Sequence, residues 1–203
     1  MQIKNKINLI VFTWPESYAN EMDWLHKMFH KGLKRLHLRK PGFSIEQMSN
    51  WLNEVDKAFL DRIVIHSHYE LVDAFGLAGC HFTERQRRLE VFEDWQPVST
   101  SFHRLSDWEE QHTNFKYSFI SPVFNSISKQ NYQASYNVDL LQLRLRKKEK
   151  AVYALGGIEK DNLSQAINLG FDGVAVLGAV WLTDNPLSSF ERLNKEVEKN
   201  VTS

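Results

Sequence analysis

Short apolar runs alternate with longer amphipathic stretches from one end of this chain to the other. Residues 7–13 are almost continuously apolar, the mark of a strand buried on both faces. Residues 16–31 then place Met22, Leu25, Met28 and Phe29 at helical spacing, and Gly32 stands where such a helix stops. Residues 35–39 alternate as a strand does, Pro41 and Gly42 break the chain, and Ser44 with Gln47 forms a capping-box pair before Met48, Trp51, Leu52 and Val55. The rhythm continues with strands at 62–66, 79–82, 97–101 and 116–121, and helices at 69–75 and 106–112. A polar loop runs to about 136, followed by a helix at 138–150 and a strand at 151–155. A helix at 162–169, a strand at 172–177 and a helix at 187–200 complete the pattern.

Strict strand–helix alternation requires a parallel sheet with helices outside it. Eight such units most simply close into a (β/α)₈ TIM barrel, here as one domain over residues 1–203. An open doubly wound sheet is the alternative. Its phosphate loop should follow the first strand, where this chain reads T-W-P-E-S without a glycine.

Composition narrows the partners more than the fold. Lys and Arg together number 25 and so do Asp and Glu, so no net charge draws in nucleic acid or an acidic membrane surface. The run R-K-K-E-K at 146–150 reads as a solvated helix end. No apolar run is long enough to span a membrane. The single cysteine, Cys80, excludes an intrachain disulfide and reads as a small core residue, which suits a soluble cytoplasmic protein. Oligomeric state stays open, with a homo-oligomer compatible with everything above.

Chemistry in such a barrel sits at the carboxyl ends of the strands. Reading those ends in order gives His37, Arg39 and Lys40, then His66, Ser67 and His68, then His81, then Ser101 and His103. Ser126, Ser128 and Lys129 follow, then Gly156, Gly157, Leu177 and Gly178. Cations, hydroxyls and glycines together suit an anionic substrate, and glycines at the last two loops let backbone N–H groups approach a phosphate. The histidines admit a second reading. His66 and His68 alternate onto one strand face, and such imidazoles could serve a metal-dependent hydrolase.

The ordered set L-R-K (38–40), G-C-H (79–81), S-F-H (101–103), S-P-V-F-N-S-I-S-K (121–129), A-L-G-G-I (154–158) and F-D-G-V-A-V-L (171–177) resembles the thiamine phosphate synthase family, which includes the related thiazole tautomerases. The resemblance implies a barrel that joins hydroxymethylpyrimidine diphosphate to a thiazole phosphate carboxylate, with release of pyrophosphate, loss of CO₂ and help from Mg²⁺. It implies small phosphorylated substrates as the partners. By this likeness Arg39 grips the diphosphate, with Lys40 as the second basic residue beside it. Ser101 stands near the leaving group, and Ser126, Ser128 and Lys129 surround the departing pyrophosphate. Gly156, Gly157, Leu177 and Gly178 hold the thiazole phosphate, with His37, His66 and His103 as further substrate contacts. The likeness fails at the metal. Ser67 and Gln86 occupy the two positions where the family has aspartates, and Glu84 would substitute only through a shift of its loop. A tautomerase fits imperfectly too, since its histidine position is Pro122 here. Open alternatives are a tautomerase or divergent thiazole-phosphate-binding barrel, a non-catalytic binding protein, and the metal-dependent hydrolase.

Overall fold

In a computed structural model, residues 7–88, 97–124 and 137–201 are described. The strands are β1 (Leu9–Phe12), β2 (Leu36–Leu38), β3 (Ile63–Ile65), β4 (Gly79–Phe82), β5 (Ser99–Phe102), β6 (Tyr117–Ile120), β7 (Ala151–Leu155) and β8 (Gly173–Val176). Each pairs in parallel with the next, and β8 returns to β1, so the barrel closes in sequence order. The helices are α1 (Glu21–His30), α2 (Ile45–Asn53), α3 (Leu71–Phe75), α4 (Glu84–Arg88), α5 (Leu105–Gln111), α6 (Val138–Leu145), α7 (Lys160–Asn168), α8 (Gly178–Trp181) and α9 (Pro186–Val201). None among the described residues is long and apolar enough to cross a membrane.

Strand alternation splits the buried residues into two groups, because successive side chains face opposite sides of the sheet. Leu9, Val11, Leu36, Leu38, Ile63 and Ile65 point outward into the layer beneath the helices. Ile10, Phe12, Val64, Tyr117, Phe119 and Tyr153 fill the barrel interior. That interior is aromatic: Phe12, Phe119, Tyr117 and Tyr153 meet at ring separations of 5.5–6.0 Å. His37 joins the same layer, opposite Phe12 in register and stacked on it at 4.8 Å.

Several elements differ from their expected extents. The first helix starts at Glu21 rather than at residue 16, after Asn20 in a left-handed conformation. The helix expected at 138–150 ends at Leu145. Only part of the R-K-K-E-K run is solvated, because Lys148 donates to the Gly170 carbonyl and pairs with Asp172. Two short α-helices carry no clear period in the sequence, besides the 3-10 turns at Lys57–Arg62 and His112–Asn114. One is α4, whose T-E-R-Q lead carries a capping signal: the Thr83 N–H donates to Gln86 Oε1 at 2.8 Å. The other is α8, four residues long and too short to show periodicity. Ser44 and Gln47 do form the expected capping box, and Cys80 is buried in the outer layer as read, with burial pushing its thiol up to about 11.

Candidate active site

A cavity of about 800 Å³ opens at the carboxyl ends of β7 and β8. Gly156 and Gly157 line it in left-handed conformations, with φ of 89° and 65°. A Cβ on Gly156 would come within 2.8 Å of Pro122, so close packing as well as dihedral angle reserves that position for glycine. Asn162 holds the turn from below. Its amide donates to the Gly157 carbonyl at 2.7 Å and its Oδ1 accepts the Glu159 N–H at 2.9 Å. Leu177 and Gly178 line the opposite side, where α8 begins with N–H groups that have no intrahelical acceptors. Arg192 on α9 adds an exposed guanidinium that sequence reading missed. It donates to Ser189 Oγ at 3.0 Å, and Ser189 in turn donates to Thr183 Oγ1. An arginine on a solvated helix face carries no local signal of this role.

Across the mouth, Arg39 is exposed while its backbone is tied at both ends to Thr13: its N–H donates to Thr13 Oγ1 at 2.9 Å and its carbonyl accepts at 3.1 Å. Lys40 is fully buried. Its Nζ lies 2.6 Å from Glu21 Oε2 and 2.6 Å from the Glu16 carbonyl, so it is committed to an ion pair behind β2. Ser101 Oγ stands 3.2 Å from His81 Nε2. His103 is exposed and donates from Nδ1 to the Ser121 carbonyl at 2.7 Å. Ser126, Ser128 and Lys129 lie outside the described residues.

The histidines converge differently from expectation. β3 ends at Ile65, and His68 sits in a left-handed turn with φ of 56°. His68 therefore does not share a strand face with His66; its Nε2 donates to the Phe43 carbonyl. His66 instead meets His37 and His81 from the neighbouring strands. His37 Nδ1 is 2.9 Å from His66 Nε2, and the His66 and His81 rings stack at 4.3 Å. Outward bonds hold the set: His37 Nε2 to Tyr117 Oη at 2.7 Å, and His81 Nδ1 to Ser99 Oγ at 2.9 Å. Burial drives all three imidazoles towards neutrality, His81 down to about 3, and the charges on the neighbouring histidines and on Arg35 and Arg39 act in the same direction.

The donors nominated for Mg²⁺ do not suit it. Mg²⁺ takes hard oxygen ligands, carboxylates foremost. The Glu84 carboxylate is taken by Arg88 and lies 4.0 Å from Arg104. Gln86 Oε1 is taken by the Thr83 N–H and hydroxyl. Ser67 offers only a hydroxyl.

The thiamine monophosphate synthase family matches residues 7–180. The chain belongs to that family. A thiamine-phosphate synthase of Pyrococcus furiosus is 21% identical over 98% of this chain and 99% of its own length. One from Flavobacterium psychrophilum is 31% identical over a shorter stretch of 62 residues, 30% of each chain. The crystal structure of a thiamine phosphate pyrophosphorylase from Bacteroides thetaiotaomicron superposes with a TM-score of 0.79 at 29% identity, covering 96% of this chain and 98% of that one. Membership makes the chain a transferase of thiamine biosynthesis built as a TIM barrel. These relatives are synthases, so the tautomerase, non-catalytic and hydrolase readings are not favoured.

Proposed function

We propose that this chain joins hydroxymethylpyrimidine diphosphate to a thiazole phosphate, releasing pyrophosphate. The observation that carries the reading is the 800 Å³ cavity with its left-handed glycine pair, sized and lined for a phosphorylated heterocycle. The thiazole phosphate enters between Gly156–Gly157 and Leu177–Gly178, where backbone N–H groups and the Arg192 guanidinium face it. The pyrimidine lies over His66, Ser101 and His103, and its diphosphate reaches Arg39. Ser126, Ser128 and Lys129 are assigned to the same diphosphate by the family likeness.

The chemistry then follows from charge. The carbon–oxygen bond to diphosphate breaks, its electron pair leaves with pyrophosphate, and a pyrimidine cation develops. Cations around the leaving group stabilise that charge separation. His37, His66 and His81, held neutral by burial, form the floor beneath the pyrimidine. The thiazole nitrogen donates its lone pair to the exposed carbon and the new carbon–nitrogen bond forms. No step is routed through Mg²⁺, because Ser67, Glu84 and Gln86 do not form a site for it. Phosphorylated substrates and a lone buried cysteine are consistent with work in the cytoplasm.

The deciding assay incubates the full chain with both phosphorylated substrates and separates the products. Thiamine phosphate and pyrophosphate should appear in equal amounts. Arg39→Lys should raise the KM for the diphosphate substrate about 10–100-fold, the loss expected for a charged fork contact. Absence of product, or an Arg39→Lys enzyme with native KM, would overturn the reading.

A further inference from the structure

Imidazoles from β2, from β4 and from the residue that follows β3 converge beneath the mouth, and the synthase reaction uses them only as a neutral floor for the pyrimidine. We propose that His37, His66 and His81 form a binding site for a borderline transition-metal dication, with Zn²⁺ and Co²⁺ as the fitting ions. The inference goes beyond the synthase reading and does not depend on it.

Geometry carries the argument. One ring nitrogen of each histidine lies within 4.8 Å of the others. Zinc–nitrogen bonds of about 2.0–2.1 Å at a tetrahedral angle hold ligand nitrogens about 3.3 Å apart. The observed separations bracket that value, from 2.9 Å between His37 Nδ1 and His66 Nε2 upward. Rotation of the His66 and His81 rings out of their 4.3 Å stack, so that both in-plane lone pairs aim at one point with that of His37, completes a three-nitrogen cap.

Hydrogen bonding prepares the same atoms. A metal-bound imidazole normally donates its other N–H to a fixed acceptor, which sets the tautomer and aims the ring. His37 Nε2 has Tyr117 Oη at 2.7 Å, and His81 Nδ1 has Ser99 Oγ at 2.9 Å. Protons on those two nitrogens leave His37 Nδ1 and His81 Nε2 as lone pairs. In the metal-free protein His66 Nε2 then donates to His37 Nδ1 and Ser101 Oγ donates to His81 Nε2, and both bonds yield to the ion as the His66 proton moves to Nδ1. Imidazoles ligate a metal through an unprotonated nitrogen, and the outward bonds of His37 and His81 keep one such nitrogen on each ring turned towards the cluster.

The donor set also fixes the class of ion. Three neutral nitrogens suit zinc, cobalt or nickel and disfavour Mg²⁺ and Ca²⁺, which require oxygen. Three protein ligands leave a position of a four-coordinate ion open. Ser101 Oγ, 3.2 Å from His81 Nε2, marks where an oxygen donor from the mouth would enter. His37 and His81 are almost fully buried while His66 is less so, which gives the ion an approach from the mouth side.

The test titrates the EDTA-stripped full chain with Co²⁺ and follows the visible ligand-field bands, then displaces cobalt with Zn²⁺. Expected are one ion per chain, bands of four- or five-coordinate intensity, no displacement by millimolar Mg²⁺, and at least a tenfold loss of affinity in His66→Gln and in His81→Gln. Tyr117→Phe should weaken binding about 10–100-fold through loss of the orienting bond. His68→Gln should bind as the native chain does. Circular dichroism verifies the fold of each variant. If a variant fails to fold, imidazole ¹⁵N spectra of the native chain decide the matter, with zinc shifting the resonances of His37, His66 and His81 only. No cobalt spectrum with folded native protein, binding that survives both His66→Gln and His81→Gln, or shifts confined to other histidines would overturn the proposal.

Discussion

At the end of β2, two adjacent cations have opposite environments because neighbouring residues of an extended segment point opposite ways. Arg39 is exposed at the mouth; Lys40 turns back into an apolar wall and meets Glu21. Glu21 Oε2 accepts from Lys40 and, at 3.2 Å, from Trp51 Nε1, while its Oε1 has no partner. Burial pushes this carboxyl up and the Lys40 contact pulls it down, so the site tolerates the charge only while lysine is present. Lys40→Met should therefore cost about 3–5 kcal/mol of folding stability, the usual cost of stranding a buried charge. Adding Glu21→Gln should recover much of that loss. Urea unfolding of the two variants measures both effects, and a Lys40→Met protein of native stability would show that the ion pair is not what fixes this position.

At the level of elements, the turn from β7 into α7 combines conformation with capping. Gly156 and Gly157 take the left-handed region in succession, and the Asn162 amide closes the loop against Gly157 and Glu159. A β-branched side chain in that region is strained by about 1–3 kcal/mol. It would also stand where the backbone faces the cavity. Gly157→Val should abolish binding of the thiazole phosphate, read by calorimetry, while the barrel remains folded with a melting point only a few degrees lower. Unchanged binding would move the phosphate site elsewhere on the molecule.

Across the whole molecule, closing the barrel removes three histidines from water, and acid reveals it. Unfolded, each titrates near 6.5; folded, each is held below that value, His81 at about 3. A folded pKa below the unfolded one means that the unfolded chain binds more protons as pH falls under 6.5. The stability contributed by the neutral imidazoles is thus fully present above pH 6.5 and is lost progressively below it. Each histidine contributes a slope of up to about 1.4 kcal/mol per pH unit. Denaturation midpoints measured from pH 7 to pH 4.5 should fall steeply for the native chain, and His81→Gln should flatten the profile by one histidine's share. A flat native profile would mean that the three imidazoles take up protons in the fold as they do in the unfolded chain.

Sequence by itself determined the alternation of strands and helices, and with it the barrel. Strand side chains repeat every two residues and helical ones every 3.6, and both periods are written locally. The same local logic exposed the capping box at Ser44 and Gln47, and the glycine pair at 156 and 157, because turn chemistry needs only a few neighbouring residues. It misjudged His66 and His68, which alternate as strand residues would although β3 stops at Ile65 and the chain turns at His68. It could not show that His37, His66 and His81 touch, that Glu21 claims Lys40, or that Arg192 on the final helix faces the β7–β8 cavity. Those contacts join residues 15 to 44 positions apart, on different elements. They depend on the register between neighbouring strands and on how the helices lie against the closed barrel. Periodicity states which face a side chain takes; only closure of the sheet decides what stands across from it.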